Sequence, residues 1–373
     1  MSTNSKKKKA AKPIKLSFWR AVLQSIGNTL SSKKFWKRFV ISLAGFVVFF
    51  MALSYGVARW YQHTQVGKPY SLGVTYIDGY ARSFGLNPHE TFLAILNDLG
   101  AKQLRLVSYW DVIEPTQGTY NFKELDWQMQ QAQKHGATVS LSIGLRQPRW
   151  PECHAPGWID TSRPQAEWQP QLETFMTAVV NRYKNNAALG SYQLENEYYN
   201  AVFGECHNAD RGRLADELAL VHRLDTNHPV IISRSNNTPT LMLRAPVTDI
   251  NAFTLYRKVY DSTITHRYFT YPLPPWHYAA IAGWQKILGG QDSIIHELQA
   301  EPWPPSGMGG ITGTSLAEQN KTLDASKLRA NVKFAKDTGI RHIDLWGVEY
   351  WYYRMVKLHD PSVWNEAKIL FSE

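Results

Sequence analysis

Motifs that hold metals or nucleotides are missing from this sequence. Its twelve histidines form no His-Glu-x-x-His pair and its two cysteines no Cys-x-x-Cys pair, which argues against a bound metal. Neither Gly-x-Gly-x-x-Gly nor a P-loop pattern occurs, so nucleotide cofactors are not expected and no cofactor is called for. Acidic residues are absent from the first 38 positions, which hold eleven Lys or Arg, from the run Lys6, Lys7, Lys8, Lys9 to Lys37 and Arg38. The net charge of +10 therefore belongs to this tail: the remaining 30 basic side chains face 31 acidic ones. A nearly neutral body offers no basic footprint for nucleic acid.

Beyond the tail the chain is equally polarised. Residues 39–58, from Phe39 to Ala58, run for 20 positions without a charge, the length that spans a bilayer core as a helix. Lys33, Lys34, Lys37 and Arg38 precede the run and only Arg59 follows closely, so the positive-inside bias places the N-terminus in the cytoplasm and the rest of the chain outside it. Trp60 and Tyr61 stand where an interfacial aromatic anchor would. The competing reading is a cleaved signal peptide with Gly56 and Ala58 as its small residues, against which stand the long apolar run and the long basic segment before it. Residues 14–31 carry a loose amphipathic pattern that suits either an anionic leaflet or a plain cytoplasmic tail. The expected organisation is a basic tail (1–38), a transmembrane signal-anchor (39–58), a tether (59–69) and one catalytic-sized domain (70–373).

From Tyr70 onward short β-rich runs alternate with helical patterns, the signature of a parallel sheet in an α/β protein. Strands are expected at 70–75, 103–108, 138–143, 191–194, 230–233, 250–254, 293–296 and 342–346. Helices are expected at 88–99, 121–135, 169–185, 211–225 and 316–338, and residues 261–290, rich in Pro and aromatics, as an elaborated loop. Eight strands in about 300 residues fit a (β/α)8 TIM barrel preceded by a single transmembrane helix, and such barrels carry their chemistry at the C-terminal strand ends.

Those ends are distinctive. Tyr76 follows the first strand, Trp110 and Asp111 the second, Arg146 and Trp150 the third, and Asn196 and Glu197 the fourth. Asn236, Tyr256, Glu297 and Trp346 follow the remaining four. Two strand-terminal carboxylates facing one mouth suit glycosidic bond cleavage, which needs one carboxyl group protonated as an acid and a second ionised as nucleophile or base. Of the nearby acids, Glu195 reads as a salt-bridge partner behind the barrel wall, and Glu349 as a group that caps a turn, with a place in the cleft lining as the alternative.

Gln193-Leu194-Glu195-Asn196-Glu197-Tyr198 is similar to the Asn-Glu motif ending the fourth strand of the clan A retaining glycoside hydrolases, families 5, 35 and 42 among them. Trp110-Asp111-Val112-Ile113-Glu114-Pro115, with Gly118-Thr119-Tyr120-Asn121-Phe122 and Leu125-Asp126, resembles the block after their second strand. The resemblance covers residues 70–354. It implies Glu197 as acid/base, Glu297 as nucleophile, Arg105 and Tyr256 as its supports, and Trp346 as a sugar platform. Glu301, four residues on, rivals Glu297 in His296-Glu297-Leu298-Gln299-Ala300-Glu301-Pro302-Trp303. Asn196 is expected to bind the hydroxyl beside the reacting carbon, and Trp110, Trp150 and Trp303 to offer flat faces to pyranose rings.

The expected activity is that of a membrane-anchored, extracytoplasmic retaining β-glycoside hydrolase acting on a β-linked oligo- or polysaccharide. A catalytically silent barrel that binds envelope glycan is the alternative. Cys153 and Cys206 fall in neighbouring loops after the third and fourth strands, so a disulfide across the cleft rim is expected in an oxidising compartment, with two buried thiols as the alternative.

Overall fold

A computed structural model describes residues 33–200, 203–206, 208–235, 246–305 and 307–373. The amphipathic stretch 14–31, most of the basic tail and Asn236 lie outside the described residues. The chain divides into two units at Gly56/Val57. Helix α1, Lys33–Thr64, has 32 residues, about 48 Å at 1.5 Å per residue. Between Phe39 and Met51 it leaves Val40, Ile41, Phe46, Val48 and Phe49 exposed. By length and composition it can cross a membrane or serve as a signal sequence.

The helix does not stop where a tether was expected. It runs on to Thr64, and within the second unit Ala58 and Tyr61 are buried. Gly283 is the reason: a Cβ there would lie 2.7 Å from Val57 Cγ1 and 3.2 Å from Tyr61 Cβ. Gln62 Nε2 donates to the Asp337 carbonyl (2.9 Å), and Arg341 bonds the Gln65 carbonyl. Residues 59–64 are therefore a docked end of helix.

Next come β1 (Ser71–Thr75), α2 (Asp78–Ser83), α3 (Pro88–Asn97), β2 (Gln103–Val107), α4 (Trp110–Ile113), α5 (Lys123–Lys134), β3 (Thr138–Ile143), α6 (Gln165–Tyr183), β4 (Leu189–Leu194) and α7 (Arg211–Leu224). The second half holds β5 (Val230–Arg234), β6 (Ile250–Leu255), a hairpin β7 (Lys258–Asp261) and β8 (Arg267–Thr270), α8 (Pro275–Gly289), β9 (Asp292–Gln299), α9 (Leu316–Gln319), α10 (Ala325–Asp337), β10 (His342–Trp346), α11 (Val348–Lys357) and α12 (Ser362–Ser372). Eight parallel strands close in the order β1-β10-β9-β6-β5-β4-β3-β2. This is the (β/α)8 barrel, with β7 and β8 paired outside it as an antiparallel hairpin.

Helix starts follow their capping residues. Asn87 accepts from the His89 and Glu90 amides ahead of Pro88, and Asp210 accepts from the Arg213 amide (2.8 Å). Asp324 likewise accepts from the Lys327 amide, and this cap splits the expected helix 316–338 into α9 and α10.

Strand alternation sorts core from site. Leu104 and Leu106 are buried on one side of β2; Arg105 between them turns into the barrel, where it meets Gln193 of β4 and Glu297 of β9. The barrel interior is thus polar at the level of the strand ends.

Candidate active site

Strand β4 ends at Leu194, and the chain then takes two left-handed steps, Glu195 at φ 54° and Glu197 at φ 40°. Such conformations cost non-glycine residues on the order of 1–3 kcal/mol and persist only where surroundings fix them. Glu195 supplies the fixing. Its carboxylate accepts the Leu145 and Arg146 amides at 2.6 and 2.9 Å and pairs with Arg213 at 3.1 Å. Gly144, at φ 105°, leaves it room, since a Cβ there would lie 2.4 Å from Glu195 Oε1. With Glu195 tied to the wall, Asn196 and Glu197 face the mouth.

Glu197 is buried, accepting Thr254 Oγ1 at 2.6 Å and Asn200 Nδ2 at 2.8 Å. Burial first, and then the charge of Glu297, push its pKa above the ordinary carboxylate range; the two hydrogen bonds oppose this. Glu297 has a different setting. Arg105 donates to its Oε1 and the Tyr256 hydroxyl to its Oε2, both at 2.8 Å. Burial and the same carboxylate hold the Tyr256 pKa far up, so its proton stays in that bond.

Two contacts tie the surroundings of the two carboxylates together. The Arg105 guanidinium that binds Glu297 also donates to Asn196 Oδ1 at 2.8 Å. Thr254, which binds Glu197, stands opposite Glu297 in the β6–β9 ladder. That ladder shifts register between Phe253 and Thr254, pairing them with Ile295 and Glu297 and passing over His296. A bulge of this kind re-aims the side chain that follows it.

Both carboxylates line a cleft of ≈ 880 Å³. Its outer wall is the β7–β8 hairpin, whose Val259, Tyr260 and Phe269 face the cavity. Asp261 holds the hairpin tip by accepting the Thr263, Ile264 and Thr265 amides at 3.0, 3.2 and 2.7 Å. Trp150, Trp303 and Trp346 also line the cleft, as do Asn196 and Tyr256. A second cavity of ≈ 760 Å³ adjoins it, sharing Arg149, Trp150, Glu301 and Trp303.

One expectation needs correction, and two are refined. Trp110 is wholly buried: the one-turn helix α4 swings it into the helical layer, where it stacks on Phe175 and donates to Glu114 Oε2 at 2.7 Å. Arg105, wholly buried beneath the cleft, bonds Glu297 and Asn196 and does not itself line the cavity. Trp346 lines the cleft, but the Arg149 guanidinium already sits over its ring at 4.2 Å and its Nε1–H donates to Glu301 at 2.8 Å. The rival Glu301 is held by that indole, by Tyr80 (3.1 Å) and by both terminal nitrogens of Arg149 (2.9 and 3.2 Å).

Other residues fall away from the mouth or were missed. Tyr76 is core, bonded to the Pro88 carbonyl, and Asp111 does not line the cleft. Glu349 accepts the Ile77 amide at 2.6 Å and is buried. Cys153 and Cys206 are joined as a disulfide, Cα to Cα 5.0 Å, between the β3–α6 and β4–α7 loops. Glu152, Arg149, Thr254 and Asn200 had no sequence signal of their own; the nearby Cys153 marked only the loop that carries Arg149 and Glu152. Among the described residues, no group of three or more His, Cys, Asp or Glu could hold a metal ion.

No protein-family model matches the sequence, and no curated protein matches it. Solved structures do match in fold. A polyextremophilic beta-galactosidase from the Antarctic haloarchaeon Halorubrum lacusprofundi superposes with TM-score 0.51 at 15% identity over 74% of this chain and 52% of that one. GH5_18 from Streptomyces cattleya, solved with GlcNAc, gives 0.54 at 13% identity over 74% and 70%. The beta-galactosidase of psychrophilic Marinomonas ef1 gives 0.54 at 13% over 81% and 59%. The chain spans about half the length of the haloarchaeal protein. The likeness is one of fold, the (β/α)8 barrel.

Proposed function

We propose that the protein is a retaining β-glycoside hydrolase, anchored in the membrane by α1 with its barrel on the extracytoplasmic side. The observation that carries this is the unequal pair in one cleft: Glu197, buried and biased towards its protonated form, and Glu297, held by Arg105 and Tyr256. An acid and a nucleophile must differ in this way. Glu197 donates its proton to the glycosidic oxygen as Glu297 attacks the anomeric carbon, giving a glycosyl ester on Glu297. Glu197, now ionised, takes a proton from water as that water attacks the ester, and configuration is retained.

A β-linked oligo- or polysaccharide is the proposed substrate. The adjoining cavities offer room for more than one sugar ring, with Trp150 and Trp303 on their shared wall. The charge asymmetry around residues 39–58 favours a cytoplasmic N-terminus, and a disulfide suits an oxidising compartment.

Labelling with a fluorosugar inactivator, followed by mapping of the modified peptide, tests the mechanism. The label is expected on Glu297; a label on Glu301, or an inverted product, overturns it. Glu297→Ala should be inactive on every glycoside, whereas Glu197→Ala should stall at the ester on substrates with good leaving groups and be rescued by azide.

A further inference from the structure

The loop after β3 carries a carboxyl group into the cleft that the proposed mechanism leaves unused. Glu152 is 2% exposed and lines the cleft with Glu197. Its backbone is left-handed, φ 74°, and is held on both sides. Its N–H donates to the Arg149 carbonyl and its own carbonyl accepts from Gln147, both at 2.8 Å. Cys153, the next residue, is cross-linked to Cys206. Gly204 lies against the side chain so closely that a Cβ there would be 2.7 Å from Glu152 Cγ. A strained residue pinned this thoroughly is one whose side chain must stay in place.

The contact it makes is with Asn196. The Asn196 Oδ1 atom already accepts from Arg105 (2.8 Å), Gln193 (3.0 Å) and Ser233 (3.1 Å), which fixes which end of the amide is oxygen. The amide nitrogen has two hydrogens. One goes to Glu152 Oε2 at 3.0 Å, leaving the second for a ligand in the cleft that Asn196 lines.

We propose that Glu152 is the positioning residue for Asn196: by accepting one amide hydrogen it aims the other at the sugar hydroxyl beside the anomeric carbon. The proposal rests on the reading of Glu197 and Glu297 as acid and nucleophile. Burial, with Glu197 and Glu297 adding to it and Arg146 at 3.5 Å opposing, pushes the Glu152 pKa up to about 8. The raised pKa favours the protonated acid near neutral pH, which accepts through its carbonyl oxygen and adds no charge beside Glu197. Glutamine reproduces that state; alanine does not.

The full-length protein in detergent micelles, assayed on an aryl β-glycoside and on its 2-deoxy analogue, provides the test. Glu152→Ala is expected to lose about thirtyfold in kcat/KM on the glycoside, the worth of a hydrogen bond made in the transition state, and less than about threefold on the 2-deoxy substrate. Glu152→Gln should stay within about threefold of the parent on both. In an Asn196→Ala background, Glu152→Ala should have no further effect. Equal losses on the two substrates would make the role merely structural, and a Glu152→Gln variant as impaired as Glu152→Ala would make the ionised form essential; either overturns the proposal. Crystal structures of the parent, Glu152→Ala and Glu152→Gln answer independently of activity. The Asn196 amide should turn in the alanine variant alone, and an unmoved amide there overturns the proposal. A parent protein that cleaves no glycoside, with Asn196 still turning in Glu152→Ala, would refute the hydrolase reading and leave the positioning role standing.

Discussion

Replacing Thr254 by valine removes one hydrogen bond from the proposed acid while nearly keeping the side chain's shape. The hydroxyl donates to Glu197 Oε1 at 2.6 Å from a wholly buried position, and it opposes the burial and the Glu297 charge that push the Glu197 pKa up. A hydrogen bond is worth about 2 kcal/mol to an ionised carboxylate and about 1 kcal/mol to the neutral acid, so the variant penalises the ionised form by about 1 kcal/mol more. At about 1.4 kcal/mol per pH unit this moves the titration up by about 0.7 pH unit. The acid works while protonated, and the rate falls as pH rises through its pKa. Losing a donor to the charged form keeps the proton on longer, so Thr254→Val should hold its activity at alkaline pH where the parent fades. A profile of kcat/KM on an aryl β-glycoside from about pH 5 to about pH 9 reads this directly, since it reports the free enzyme's acid. An alkaline limb that stays in place, or moves down, refutes the assignment: Thr254 would then not touch the group whose proton limits the rate.

The parallel strands were legible because short β-rich runs alternate along the chain with longer helical patterns. Thr138–Ile143 and His342–Trp346 fall where the pattern placed them. Strand β9, expected to end at His296, runs to Gln299, because the bulge at His296 lets a polar-looking stretch continue the ladder. The segment 261–290, expected as a loop, holds the tip and second strand of a hairpin and a 15-residue helix. Pro272, Pro274 and Pro275 look like breakers there, whereas Pro275 opens α8 from its first turn.

The site divides along the same line. Glu197, Glu297 and Tyr256 were candidates from sequence because each lies at or close to the end of a strand that the alternating pattern located. Thr254 meets Glu197 across 57 positions of sequence, and Glu152 and Arg149 enter the cleft on a loop tied down by a cross-link of sequence separation 53. Neither is a local property. Trp110 fails for the opposite reason: a four-residue helix after β2 rotates a strand-end residue away from the mouth.

Tyr256→Phe removes the hydroxyl that donates to Glu297 at 2.8 Å; a charge-assisted bond of about 2 kcal/mol should cost about thirtyfold in kcat/KM, and an unchanged rate would point away from Glu297 as nucleophile. Cys153→Ser with Cys206→Ser opens a cross-link of sequence separation 53, which on the chain-entropy account lowers stability by about 4 kcal/mol; urea unfolding measures it, and an unshifted midpoint would show that the barrel alone orders both loops. Glu349→Gln should change how stability depends on pH. Glu349 is buried, accepts the Ile77 amide at 2.6 Å, and burial pushes its pKa up to about 8. Between about 4.3, its value in the unfolded chain, and about 8, the folded protein keeps a proton that unfolding releases. Its contribution is therefore complete below that window and declines as pH rises through it, by up to about 1.4 kcal/mol per pH unit. Glutamine keeps the acceptor oxygen and has no proton to lose. Parent and variant should unfold alike near pH 4.5 and diverge in the variant's favour towards pH 8, the slope contributed by every other group cancelling between them. A difference that does not widen with pH would mean that Glu349 is ionised inside the folded barrel, with a cation beside it that compensates the buried charge.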